Sequence, residues 1–343
     1  MHRIKGAARH AISLAYYAFN RCPAGLKGKV ALLMYHRVLT KKNLEKYYVQ
    51  PGMYVLDDVF ERQMSYLKKN FYILRLSELL DMWREGVWDN SQRYCVITFD
   101  DGWLDNYRHA YPILLKYNIP ATIFLPTSLI GTNHWFWPDR LGFILQKCLS
   151  LSEGKHVSLL YETWPWMRND RINDIDDKID SIIETVKLLS DDDIAQLIYD
   201  AATLFELIFP DERLLLNWAE VSEMSKESIS FGSHSASHAI LTKLTRDNMK
   251  MEIRTSMETL REKNINYVPV LCYPNGDYND CIAELVKDTG YLAGVSTRFG
   301  IEGRTPRNKY GLHRIGVHND ISTSVPLYAY RLRKSAGRFP IAH

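Results

Sequence analysis

The chain has 343 residues, 46% hydrophobic and 24% charged, with a formal net charge of +3. That composition describes a folded protein with a substantial core and excludes a long disordered chain. So small a net charge gives no reason to expect a nucleic-acid partner.

The charge is unevenly spread. Nine Lys or Arg and no acid precede Glu45, while Arg331, Arg333, Lys334 and Arg338 follow Asp320, again without an acid. Two basic ends on a near-neutral body fit an anionic membrane surface or a lipid-linked glycan, or are simply solvated tails. Residues 1–25 read as a basic N-terminal helix and 321–343 as a basic C-terminal tail. The apolar stretch 11–19 is too short to span a bilayer. Tyr16 and Tyr17 interrupt it and Asn20-Arg21 follow it, so it makes no convincing signal peptide. The five cysteines, Cys22, Cys95, Cys148, Cys272 and Cys281, contain no CxxC and imply no disulfide framework. A cytoplasmic location, with at most peripheral membrane contact, is expected.

In chain order, residues 30–34 form an apolar strand run that ends at Tyr35-His36. Residues 59–69 have helical spacing, and 94–99 form a buried-strand pattern. A helix over 105–117 stops before Pro120, and 121–125 is a further strand. Residues 140–217 contain no convincing strand. There Ile175, Ile179, Ile182, Val186 and Leu189 make one helical stripe. Ser190 caps a second helix, with Asp193 in its third position. This segment reads as a helical insertion. Strands at 228–232, 268–273 and 293–296 then alternate with helices at 247–263 and 281–289. Strands alternating with helices imply a parallel α/β architecture, and their number points to a barrel, complete or distorted.

In such a fold the residues after each strand share one face. That face receives Tyr35-His36, Asp100-Asp101-Gly102-Trp103, Ser233-His234-Ser235-Ala236-Ser237-His238 and Pro274-Asn275-Gly276. Two adjacent carboxylates repel unless a cation or proton intervenes. Two histidines four apart can turn both rings to one point. Carboxylate plus imidazole suits Zn²⁺, and also Co²⁺, Ni²⁺ or Fe²⁺, and three protein ligands leave room for water and substrate. Asp101, His234 and His238 are the candidate ligands, with Asp100 spare as a base.

The longer strings resemble the polysaccharide deacetylases with a NodB homology domain (carbohydrate esterase family 4). Thr98-Phe99-Asp100-Asp101-Gly102 is similar to the family's first motif, which implies Asp100 as catalytic base and Asp101 as metal ligand. The string 233–238 is similar to the second motif, whose two histidines complete the metal site. Residues 60–67, 120–126 and Leu241-Thr242 also agree. The resemblance runs from about residue 32 to 317. It implies a distorted (β/α) barrel over 26–320, interrupted by the insertion at about 140–217. The family's Arg-x-Pro-Tyr string is replaced by Cys272-Tyr273-Pro274-Asn275, so its arginine is missing. The acid-supplying histidine is not in the usual Leu-x-His string. His36 is the substitute, as in the subfamily that de-N-acetylates poly-N-acetylglucosamine and other exopolysaccharides, and His313 competes for the role.

The resemblance implies hydrolysis of an N-acetyl group on an amino-sugar polymer or exopolysaccharide precursor. The metal polarises the acyl carbonyl and lowers the pKa of a bound water, Asp100 takes the water proton, and a protonated His36 protonates the departing amine. The backbone N–H of Tyr273 would hold the oxyanion. Trp103, Tyr273, Trp135 or Trp137 would stack on sugar rings, and Asn275 would bind a sugar hydroxyl. Two other readings stay open: deacetylation or deformylation of a lipid-linked sugar at a membrane, and carbohydrate binding with little turnover.

Overall fold

The structure, a computed structural model, describes residues 13–15, 17, 25–150 and 155–335. Most of the expected N-terminal helix and the last residues of the C-terminal tail therefore lie outside the described residues.

The described residues include the strands β1 Lys29–Tyr35, β2 Arg37–Leu39, β3 Tyr54–Leu56, β4 Tyr72–Ile73, β5 Arg93–Phe99, β6 Ala121–Leu125, β7 Ile229–Ser233, β8 Tyr267–Cys272, β9 Ala293–Phe299 and β10 Leu312–Gly316. Parallel pairing runs β1-β10-β9-β8-β7-β6-β5, and β1 also pairs with β5 along its whole length. Seven strands thus close a ring. The distortion sits at β5, which pairs β4 at Tyr94 and Cys95 but β6 at Thr98 and Phe99. β2 and β3 form a separate two-stranded ribbon.

Period-two alternation sorts the barrel side chains between two cores. Val30, Leu32, Tyr94, Val96, Val270, Val295 and Leu312 belong to one buried cluster, with Leu76, Leu79 and Leu80 of helix Leu76–Glu85. Ala31, Leu33, Tyr35, Cys95, Ile97, Phe99 and Ile315 belong to another, with residues of helices Asp57–Asn70 and Tyr111–Tyr117. That second core also holds Tyr328, Ala329 and Leu332 of helix Val325–Lys334. Part of the expected basic tail is therefore a packed helix, and its Arg331 donates to the Gly316 carbonyl and lies over the Phe299 ring.

The insertion is its own compact unit, Asn133–Leu214 together with Thr40–Gln50. It starts at Asn133, ahead of the expected 140, and the contribution of 40–50 has no sequence signal. Helices Trp137–Ser150, Ile175–Val186 and Asp191–Leu204 bury Leu141, Ile144, Ile179, Ile182, Ile183, Ile194 and Ile198 in one cluster with Tyr48. The ring of Tyr48 lies so near Gly142 that an added Cβ would meet it at 2.8 Å, which is why this helix face carries a glycine. Ser190 caps its helix as expected, accepting from the Asp193 N–H. Trp135 is buried in this unit against Tyr47 and Phe143, and its indole N–H donates to the Glu212 carbonyl. Packing therefore occupies the ring expected to stack on sugar. Among the described residues no helix is long and apolar enough to cross a membrane.

Candidate active site

The carboxyl ends of β1, β5, β7 and β8 carry the predicted groups. β5 runs straight into Asp100, whose N–H donates to the Tyr35 carbonyl and continues the β1–β5 ladder. The chain then turns sharply, with Asp101 at φ +70° and Gly102 at φ +65°. Gly102 is needed there on two counts: the left-handed backbone, and an added Cβ that would meet Leu125 at 2.8 Å. After β7 the loop 233–238 bends through Ser235 at φ +59° and His238 at φ +64°.

These turns bring three ligand atoms together. Asp101 Oδ1 lies 3.2 Å from His234 Nε2 and 3.2 Å from His238 Nε2. The two rings stand nearly perpendicular, at 80°, with centroids 4.8 Å apart. His234 Nδ1 is 2.8 Å from the Cys272 carbonyl, which can only accept, so Nδ1 is protonated and Nε2 is the nitrogen that faces Asp101, where it donates a proton to the carboxylate or, on losing it, offers a lone pair to a cation. Burial opposes ionisation of Asp101, but hydrogen bonds from both histidines hold its carboxyl well below the usual range. Burial likewise opposes charge on His234, but Cys272 and Asp101 push it well above its ordinary value. A carboxylate oxygen and two imidazole nitrogens facing one another need a positive charge between them. The donor set therefore fits a divalent cation with open positions.

Arg314 was absent from the sequence expectations, as was the strand that carries it. Alternation along β10 places Leu312 in the inner core and Ile315 in the outer one, so Arg314 points inward. Residues 312–314 of β10 span the same stretch of ladder as 295–299 of β9, from Leu312↔Val295 to Arg314↔Phe299, so β9 is bulged. This bulge turns the Ser296 carbonyl onto Arg314 Nε at 2.9 Å. Nη1 donates to Asp100 Oδ1 at 2.7 Å and Thr98 Oγ1 at 3.1 Å. Nη2 donates to Asp100 Oδ2 at 2.7 Å and Cys272 Sγ at 3.2 Å. All five guanidinium N–H groups are thus used. Burial would raise the Asp100 carboxyl, but the charge and hydrogen bonds of Arg314 hold it below the usual range. The position where the family string has arginine is Cys272, and the guanidinium comes instead from β10 and touches its sulfur. The available signal was a lone basic residue in the apolar run 312–317, legible only once that run is recognised as a strand.

His36 Nε2 lies 3.9 Å from Asp100 Oδ2. Burial holds its ring below the ordinary histidine value, so the resting side chain favours the neutral form. His313 is elsewhere. It points to the opposite side of β10 from Arg314, and its Nδ1 lies 2.7 Å from Glu302, which bridges Val30 at the start of β1. Burial of Glu302 makes this a paired structural histidine.

The structure places the three residues expected to contact substrate as follows. Trp103 is only 2% exposed, its indole N–H donates to Asp101 Oδ2 at 2.9 Å, and the Arg37 guanidinium covers its ring at 4.1 Å. Its indole thus holds the Asp101 carboxylate, and its buried ring is covered by Arg37. The Tyr273 N–H donates to the Val295 carbonyl at 3.1 Å, so it is spent on the β8–β9 ladder and not free for an oxyanion. Its ring is buried on Tyr278, with the hydroxyl donating to the Tyr310 carbonyl. Asn275 is exposed at φ +58°, with its amide donating to Asp277.

The sequence profile described as polysaccharide deacetylase matches residues 89–294. YxkH of Bacillus subtilis (strain 168), named for the same activity, is 23% identical over 296 residues, 86% of this chain and 74% of that one. A poly-beta-1,6-N-acetyl-D-glucosamine N-deacetylase of Staphylococcus epidermidis is 29% identical over 157 residues, 43% of this chain and 50% of that one. Two solved structures share the fold. The Streptococcus pyogenes deacetylase PplD, in complex with acetate, has a TM-score of 0.57 at 20% identity, over 90% of this chain and 98% of that one. IcaB from Ammonifex degensii has a TM-score of 0.55 at 17% identity, over 89% and 97%.

Proposed function

The chain belongs to the polysaccharide deacetylase family and is a carbohydrate N-deacetylase, and we propose that it is a metal-dependent hydrolase of acetamido groups on an amino-sugar polymer or exopolysaccharide precursor. The observation that carries the proposal is the convergence of Asp101 Oδ1, His234 Nε2 and His238 Nε2 beside the paired Asp100.

A divalent cation held by those three residues, with Zn²⁺ the best match to the donors, supplies Lewis acidity toward the acyl carbonyl and toward water. Asp100 is the base. Arg314 occupies one lone pair on each carboxylate oxygen, leaves another on each for water, and keeps the group ionised. Water oxygen bonds to the acyl carbon as its proton passes to Asp100. The carbon–nitrogen bond then breaks as the amine nitrogen gains a proton from His36. Because the resting His36 is neutral, it acquires that proton during the reaction, and Asp100 Oδ2 stands 3.9 Å from its Nε2. The products are acetate and the free amino sugar.

The test pairs metal analysis with acetate release from N-acetylglucosamine oligomers. We expect about one equivalent of metal and turnover that chelation abolishes. Asp100→Asn should cut kcat by about 10²–10⁴ with metal retained. Undiminished turnover in Asp100→Asn would refute the base assignment.

A further inference from the structure

Both histidine ligands sit in one short loop whose backbone is locally unfavourable. Ser235 and His238 hold left-handed φ values of +59° and +64°. For residues with a Cβ each costs on the order of 1–2 kcal/mol, so the loop keeps this shape only if something outside it does the holding. Part of the support is backbone. The His234 N–H donates to the Leu125 carbonyl, and the N–H groups of Thr127 and Ser128 donate to the carbonyls of Ser235 and Ala236.

The remaining support comes from helix Arg246–Glu262. Its Glu252 and Ser256 are four apart and so share a face. Ser256 Oγ meets Ser233 Oγ at 2.7 Å, just before the first histidine. Glu252 takes the other half of the loop. Its Oε2 accepts the N–H groups of Ala236 at 2.9 Å and Ser237 at 2.8 Å, and its Oε1 accepts the Ser237 hydroxyl at 2.8 Å. Hydrogen bonds to an ionised carboxylate are roughly twice as strong as neutral ones. Three of them on two consecutive residues fix the path of the chain between His234 and His238.

We propose that Glu252 is a positioning residue for the metal site, setting the spacing of the two imidazoles without touching the metal. This rests on the reading of Asp101, His234 and His238 as ligands. In the protein without metal, the two left-handed residues favour opening the loop, and Glu252 opposes it.

The experiment measures zinc affinity by competition with a chromophoric chelator, alongside the thermal midpoint of the metal-free protein. Glu252→Ala should weaken zinc binding about 10–100-fold, the range seen when groups supporting a metal ligand are removed. Glu252→Gln keeps the shape and one acceptor oxygen, so it should fall between Ala and wild type and serves if Glu252→Ala does not fold. Zinc affinity within about twofold of wild type in a folded Gln or Ala variant would overturn the proposal, even if the thermal midpoint dropped. A wild-type protein that binds no zinc, or whose binding survives His234→Ala, would instead overturn the ligand reading.

Discussion

The proposed metal corner and the proposed base corner of this site are built in opposite ways. At the proposed metal corner, Asp101, His234 and His238 each follow a strand end within a short contiguous string, and backbone turns at Asp101, Ser235 and His238 do the aiming. At the base corner, Asp100 depends on a guanidinium that enters from β10, more than 200 residues away, through a bulge in β9. A buried carboxylate can therefore draw its guanidinium partner from a strand far along the chain, with no arginine in the local string. The chemistry needs a charge at a place in space, not at a place in the sequence.

The largest effect should come from the metal corner. His234→Ala is expected to remove bound metal and, with it, activity down to background; unchanged metal content would break the division at its first term. Next is Arg314→Met, expected to retain metal while kcat falls about 10²-fold or more. It should also cost about 3–5 kcal/mol of stability in denaturant titration, because Asp100 is left buried and unpaired. Loss of metal in that variant would show that the two corners are not separate. A sharper test returns the arginine to the family's position. Cys272→Arg on an Arg314→Ala background should regain about tenfold in kcat over Arg314→Ala alone, near 1.4 kcal/mol of barrier. No recovery in a folded double variant would mean that β10 supplies more than a charge.

A smaller effect is expected at Trp103. Trp103→Phe removes only the indole N–H from Asp101 Oδ2, and zinc affinity should fall about tenfold with KM unchanged. A rise in KM at saturating metal would return Trp103 to substrate binding. The smallest effect on catalysis belongs to His313. His313→Gln should leave kcat within about twofold, a barrier change under ~0.5 kcal/mol, because the ring pairs with Glu302 on the far side of β10. A loss comparable to that of His36→Ala would restore His313 as the acid.

Much of this was legible along the chain, and the reason is local. Apolar runs at 94–99, 121–125 and 268–273 read as strands because both faces of a parallel barrel are buried. β10 escaped because a histidine and an arginine break its run, one pairing outward with Glu302 and the other inward with Asp100. The same blindness applied to aromatic rings. Trp103 and Trp135 look alike as candidate sugar platforms, and only burial and the partners of their N–H groups show that both are structural.

The sequence by itself determined the parallel α/β barrel with its helical insertion, and it placed Asp100, Asp101, His234, His238 and His36 at strand ends on one face. Those properties follow from periodicity and from spacing within a few residues. Tertiary structure alone decided that Arg314 replaces the missing arginine, that the Tyr273 N–H is occupied, that His36 rather than His313 stands beside Asp100, and that Glu252 braces the histidine loop. Each of these joins groups far apart in the chain, so each is set by strand register, a bulge and helix packing, none of which a one-dimensional pattern records.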